Sequence, residues 1–352
     1  MAELFDDSRL DDEAALAAAD EVLRDLAEAG ARVRLEAGNA GAAIEAAVAA
    51  WAADSRPRAV VAAGPDSRLL RAVLEPWCPV PFVAWPGPSL PGWAGALDLV
   101  VVLAPDGSDT GAASAVAEGV RRGCRLVVAC APDSLVARHT GGRDSAVLPS
   151  TTGDQLAMAV AMLELLDRLD LGPQTVPEAV ATALDDVAIS CSPYRDLAVN
   201  PAKMLAIALG DGTGLVWGGS VLAARAARRI AEAMRRASGR AVLAGDAEHL
   251  LPVVASTRPR DVFADPFADT EDPATGGIGD ADLRPVLVVL DDGSEDPIID
   301  EQRHRLVAAA TEHDVRTETV SAVEGEALAR YAALLATGRY AAAYLLVGLR
   351  RT

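Results

Sequence analysis

The feature that most constrains this chain is a rhythm. Short apolar runs stop at turns rich in glycine and aspartate, then give way to helical stretches. Residues 59–63 (AVVAA) end at Gly64-Pro65-Asp66, and 97–104 (LDLVVVLA) end at Pro105-Asp106-Gly107-Ser108. After a helix predicted over 110–122 comes a third run, 125–130 (RLVVAC). Runs that are apolar at nearly every position, rather than at alternate ones, are expected of strands buried on both faces. Strands that alternate with helices at this spacing predict a three-layer α/β fold with a mainly parallel sheet. Such sheets bind ligands beyond the carboxyl ends of their strands, which here are Gly64–Ser67 and Asp106–Thr110.

The rhythm runs twice. Over 1–170, helices predicted at 11–29 and 40–53 precede the strands, and a long helix follows from near Thr152. Residues 171–198, with Gly172, Pro173, Pro177 and Pro193, read as a connecting segment. Over 199–352 a helix at 201–209 leads to a strand at 213–217, the turn Gly218-Gly219-Ser220 and a helix at 221–237. Strands at 241–244, 285–290 and 315–320, with helices at 300–312 and from 325, complete a second domain. Within it, 258–284 is rich in proline, glycine and aspartate and is expected to form a flexible acidic loop.

Charge narrows the partners. Among 352 residues, 51 acidic side chains against 32 basic ones give a formal charge of −19. A chain this acidic repels the phosphate backbone that dominates nucleic-acid affinity. No uninterrupted apolar stretch approaches the roughly 20 residues of a membrane span, and the start, MAELFDDSRLDDE, lacks the features of a secretory signal. Cys78, Cys124, Cys130 and Cys191 have neither disulfide-framework nor zinc spacing. A cytoplasmic protein without metal or cofactor is expected.

Several segments can carry chemistry. At 64–68 a strand-to-helix turn offers backbone N–H groups and the Ser67 hydroxyl to an anion; alternatively Asp66 or Ser67 merely caps the helix. At 106–110, Ser108 and Thr110 suit a phosphate, whereas Asp106 and Asp109 oppose one. Gly218-Gly219-Ser220 is a third strand-end turn, but it is not a dinucleotide fingerprint. From Lys203 to Arg240, seven basic residues face only Asp211 and Glu232. The helix in that segment gathers its arginines on one face, either as a solvated stripe or, through Arg235 and Arg236, as a contact for an anionic ligand. Glu248-His249 is a carboxylate–imidazole pair of the kind used in proton transfer.

Taken in order, these segments resemble the SIS (sugar isomerase) phosphosugar-binding proteins, and more closely the bifunctional phosphoglucose/phosphomannose isomerases. The resemblance rests on LDD at 10–12, the glycine turn at 59–67 and VVVLAPDGSDTGAASAVAEGVRRGCRLVVAC. It continues through NPAKMLAIAL, TGLVWGGSVLAARAARRIAEAM, AEHLLPV and LARYAALLATGRYAAAYLLVGLR. It implies two tandem SIS-type αβα sandwiches, a homodimer and a sugar-phosphate ligand held by Gly64, Asp66, Ser67, Ser108, Thr110, Gly218, Gly219, Ser220, Arg235 and Arg236. The chain departs from the family where catalysis is done. Ala104-Pro105-Asp106 replaces part of the Ser/Thr phosphate loop, and Arg235-Arg236-Ala237-Ser238-Gly239 stands where the catalytic glutamate is expected. The E-x-x-H element is reduced to Glu248-His249, and the family's C-terminal lysine is absent because Lys203 is the only lysine. Moving a proton between C1 and C2 of an aldose phosphate needs a positioned base and a ring-opening acid. The expectation is therefore a phosphosugar-binding protein with weak or lost isomerase activity. The alternative is an active glucose-6-phosphate/mannose-6-phosphate isomerase with His249 as acid and Glu248 as base.

Overall fold

The computed structural model describes residues 5–51, 55–142, 144–257 and 284–349. The expected loop at 258–284 lies outside them apart from Arg284, which opens a strand. The chain divides into two compact units, Glu28–Ala183 and a second made of Met1–Ala27 with Leu184–Thr352. Each is an α/β sandwich on a parallel sheet, the architecture predicted by the strand rhythm.

In the unit Glu28–Ala183 the strands are β1 (Val60–Ala63), β2 (Phe82–Trp85), β3 (Leu99–Ala104), β4 (Arg125–Cys130) and β5 (Ser145–Pro149), in the order β2-β1-β3-β4-β5. Every pairing is parallel, with Val60 beside Leu99 and Ala104 beside Cys130. Strands β1 and β3 are buried at every position, which is why their sequence shows no alternation. One face of the sheet packs Val61, Val100, Val102 and Val128 against Ala112 and Val116 of the helix Thr110–Arg121. Each such fully buried valine or leucine contributes about 1.5–3 kcal/mol of transfer free energy. The edge strand β5 has no predicted counterpart, because SAVLP is short and only half-buried.

The second sheet contains β6 (Gly212–Gly218), β7 (Leu243–Ala244), β8 (Arg284–Asp291) and β9 (Arg316–Ser321), all parallel, in the order β7-β6-β8-β9. Leu215, Trp217, Leu287 and Val289 pack against Leu250, Val254 and Leu306 from the helices Ala247–Ala255 and Pro297–Glu312. The helix Ala327–Leu349 is long and apolar enough to cross a membrane by length and composition, yet 78% of its apolar window is buried inside the protein. It crosses the helix Val221–Ser238 at Gly338, where a Cβ would overlap Ile230.

Three local readings differ from the sequence expectation. Gly30 does not end a helix; Ala29–Trp51 is one continuous helix, aligned by the buried stripe Val33, Glu36, Ala40, Ile44, Ala47 and Trp51. Pro177 begins the helix Pro177–Ser190 inside the expected connecting segment, a first-turn position where proline's missing N–H costs nothing. Residues up to Ala27 group with the C-terminal half, unlike the division 1–170 and 199–352. Lys203 is one tie within that grouping: fully buried, its ammonium donates to Asp11 Oδ1 (2.6 Å) and to the carbonyls of Pro193 (3.0 Å) and Arg195 (3.1 Å). Asp6 N also donates to Gly348 O at 3.1 Å.

Candidate functional site

The carboxyl edge of the first sheet is assembled from three loops. After β1, Gly64 turns the chain at φ +88°, a left-handed conformation that favours glycine. The helix Ser67–Leu74 then begins, with Asp66 at its N-cap position making no capping bond. Asp66 instead accepts a hydrogen bond from Gln155 Nε2. After β3, Asp109 caps the helix Thr110–Arg121 through Ala112 N (2.6 Å), and Ser108 Oγ donates to Asp106 Oδ1 (2.7 Å). Gly107 lies so close to the loop after β4 that a Cβ there would stand 2.6 Å from Ser134 Cβ.

The loop after β5 is clamped from beneath by the helix Ala29–Trp51. Arg32 Nε bonds Asp154 (2.8 Å), and Asn39 Nδ2 bonds Thr151 Oγ1 (3.0 Å). Between them, buried Glu36 accepts from Ser150 Oγ (3.1 Å), Thr151 N (2.9 Å) and Thr152 N (2.6 Å). These three residues recur at helical spacing, so one stripe of the helix holds the loop. Neither Gln155 nor Glu36 is among the sequence-predicted site residues. The signal for Glu36 was a carboxylate sitting on an otherwise apolar stripe.

Of the predicted ligands on this edge, Ser108 and Thr110 are exposed, Asp66 is partly exposed, and Gly64 and Ser67 are buried. Ser67 is 1% exposed, and its Oγ is the only buried side-chain oxygen without a hydrogen-bond partner among the described residues. The edge thus offers hydroxyls and two helix starts to an anion, set among the carboxylates of Asp66, Asp106 and Asp109.

The carboxyl edge of the second sheet uses the same strand–turn–helix device differently. Ser220 caps the helix Val221–Ser238 by accepting from Ala223 N (3.0 Å), while its hydroxyl donates to Asp292 Oδ2. A Cβ on Gly218 would overlap the Ala223 backbone, and one on Gly219 would overlap Ile299. Arg330 Nη1 donates to the carbonyl of Asp292 (2.6 Å). A carboxylate therefore already occupies the Ser220 hydroxyl.

Glu248 and His249 lie on the first turn of Ala247–Ala255, after β7, and both are exposed. The His249 side chain is 80% exposed, with Nδ1 4.0 Å from Asp246 Oδ2. Arg235 and Arg236 occupy the last turn of Val221–Ser238, about 22 Å along the axis from Ser220 at 1.5 Å per residue. There Arg235 donates to Val242 O (2.7 Å), and Arg236 pairs with Glu232 (2.5 Å). The second unit thus places Ser220 and Arg235–Arg236 at opposite ends of one helix. A cleft of about 790 Å³ in the same unit is lined by Asp11, Glu13, Asp20 and Asp196 with Arg195 and Tyr194, an acidic wall unsuited to phosphate.

Residues 198–348 match the family model of the bacterial phospho-glucose isomerase C-terminal SIS domain. No curated protein matches the chain. Among solved structures, the chain is similar to tagatose-6-phosphate ketose/aldose isomerase from Escherichia coli, at 12% identity and a TM-score of 0.62, covering 94% of this chain and 92% of that one. It is also similar to the C-terminal domain of glucosamine-fructose-6-phosphate aminotransferase from Francisella tularensis, at 12% identity and a TM-score of 0.61, covering 93% and 95%. At such identity these likenesses show the fold.

Proposed function

We propose that this chain, an SIS-domain protein of the phosphosugar isomerase type through its C-terminal half, binds a sugar phosphate and has weak or no aldose–ketose isomerase activity. The observation that carries the reading is Ser67. A buried hydroxyl without a partner costs about 1–3 kcal/mol, and it stands on the first turn of a helix at the carboxyl end of β1. Helix starts in this position suit phosphate oxygens, and Ser108 and Thr110 add exposed hydroxyls beside the next helix. Because Ser67 is closed over, docking involves a rearrangement of this corner. Asp106 stands on the same edge, exposed, and weakens the affinity by repulsion.

Weak catalysis follows from the groups available for proton transfer. Glu248 and His249 are solvated on a helix surface, where nothing encloses a substrate or fixes either side chain against a reacting carbon for proton transfer. Arg235 and Arg236 occupy the stretch where the family's glutamate is expected, and losing a general base commonly costs about 10²–10⁴ in rate. A homodimer belongs to this reading; the exposed side chains of Ile189, Tyr194, Val199 and Met204 support it as apolar surface on 189–204. Free cysteines agree with a reducing, cytoplasmic setting.

The test is thermal melting and a coupled assay with glucose 6-phosphate, mannose 6-phosphate and fructose 6-phosphate. The expected result is stabilisation by at least one sugar phosphate, diminished in Ser108→Ala and Thr110→Val, with little turnover. Robust turnover that disappears in His249→Ala would establish the active isomerase instead. Absence of any stabilisation would overturn the binding reading.

A further inference from the structure

Trp85 stands at the carboxyl edge of the first sheet and has no part in the chemistry assigned there so far. It is the last residue of β2 and pairs in register with Ala63, the residue before Gly64. Its carbonyl accepts from Gly64 N (3.0 Å), so β2 and the glycine turn are tied where the strands end. Paired residues of a parallel sheet project to one face, and Ala63 projects into the cluster that holds Ala112 and Val116. Trp85 is therefore on the face covered by the helix Thr110–Arg121. Gly64 completes the link, because a Cβ on it would lie 3.6 Å from Ala112 Cβ in the first turn of that helix. Trp85 is thus one strand spacing, about 4.8 Å, from a turn that itself touches the helix beginning at Thr110.

Other tryptophans have a structural use or lie elsewhere. Trp217 is buried in the core of the second sheet. Arg125 covers the ring of Trp51 at 5.2 Å, and Arg58 that of Trp93 at 5.7 Å. Trp77 precedes β2, towards the opposite end of that strand. Trp85 is 38% exposed, and among the described residues no cation or second ring lies over it. Its one polar group is already used, since Nε1 donates to Pro88 O (3.4 Å) in the loop that follows. What the indole still offers a ligand is its apolar ring.

We infer that Trp85 is a platform for the sugar at the proposed phosphate site, which thereby selects the closed-ring form of a hexose phosphate over open-chain forms. The inference rests on the sugar-phosphate reading and names the form of ligand it favours. A closed sugar presents a patch of C–H groups on one face, which an aromatic side chain can cover. A rigid ring also loses less conformational freedom on binding than a polyol chain does. Aldose–ketose conversion proceeds through the open chain, so contacts to the closed ring stabilise the ground state and not the transition state. The platform is a reason for weak turnover that is independent of Glu248 and His249.

The experiment compares glucose 6-phosphate with sorbitol 6-phosphate, which cannot cyclise, and with inorganic phosphate, by calorimetry on the full chain. Glucose 6-phosphate is expected to bind about 3- to 10-fold tighter than sorbitol 6-phosphate, the range of one aromatic contact. Trp85→Ala is expected to erase that difference and to leave inorganic phosphate unchanged. Trp85→Phe keeps a ring but not the bond to Pro88, and is expected to preserve the difference. A residue that only ties the loop would lower the melting temperature in both variants without altering the ratio of affinities. The inference is overturned if wild type binds sorbitol 6-phosphate as tightly as glucose 6-phosphate, or if Trp85→Ala keeps the wild-type ratio or weakens inorganic phosphate equally. It is overturned too if Trp85→Phe loses the preference, so the idea stays open to refutation even where Trp85→Ala does not fold. Each of these results leaves the sugar-phosphate reading standing, whereas failure of both sugar phosphates to bind removes that reading and the inference with it.

Discussion

The two sheets end in the same device, a strand delivering its chain through glycine into a helix start, yet the two carboxyl edges differ in what already fills that start. On the second, Ser220 is engaged by Ala223 N and by the Asp292 carboxylate, and Gly218 and Gly219 lie against Ala223 and Ile299. On the first, Ser67 Oγ has no partner, Ser108 and Thr110 face solvent, and a Cβ on Gly64 would meet nothing nearer than Ala112 Cβ at 3.6 Å. One corner is self-satisfied, and the other holds an unmet donor. The difference teaches that the fold supplies the helix start twice, while side chains from neighbouring loops decide whether it remains open to a ligand.

The comparison is broken most severely through its glycines. Gly218→Ala drives a Cβ into backbone atoms that cannot swing aside, so a loss of about 3 kcal/mol is expected from overpacking. Gly64→Ala has room for its methyl group but forces an alanine to φ +88°, a strain of about 1–2 kcal/mol. Thermal melting of both variants checks the order. Equal losses would mean that the second corner is no more tightly filled than the first.

The serines sharpen it by sign. Ser220→Ala removes a cap and leaves Asp292 without its hydroxyl donor, a destabilisation of about 1–2 kcal/mol. Ser67→Ala deletes a buried hydroxyl that has no partner, so the unliganded protein is expected to be unchanged or more stable by up to about 1 kcal/mol. The same substitution is expected to reduce stabilisation by sugar phosphate. A Ser67→Ala protein that melts as early as Ser220→Ala would show that the Ser67 hydroxyl has a structural partner after all.

Much of this contrast was beyond the reach of sequence. The strands β1, β3, β4, β6 and β8 were legible because burial on both faces leaves unbroken apolar runs, and the turns because glycine marks them. The edge strand β5 was not, since half-burial gives it no distinctive pattern. Ser67 and Ser220 look equivalent as residues that follow a glycine turn. Asp292 engages Ser220 from 72 residues away, and Gln155 holds Asp66 from 89 away; pairings at such separation leave no local periodicity to read.

The smallest expected effect is the most informative about the ligand. Asp106 is exposed on the open edge, whereas Asp292 is tied to Ser220. A carboxylate and a phosphate dianion about 7 Å apart in water repel by about 1 kcal/mol, and physiological salt screens part of that. Asp106→Asn is therefore expected to tighten sugar-phosphate binding roughly 3- to 5-fold at physiological salt, and more at low salt, by calorimetry. Asp292→Asn is expected to leave the affinity unchanged, because its neutralisation lies in the other unit's filled corner. If Asp292→Asn gives the gain and Asp106→Asn does not, the phosphate sits at Ser220, and the assignment of open and filled corners is reversed.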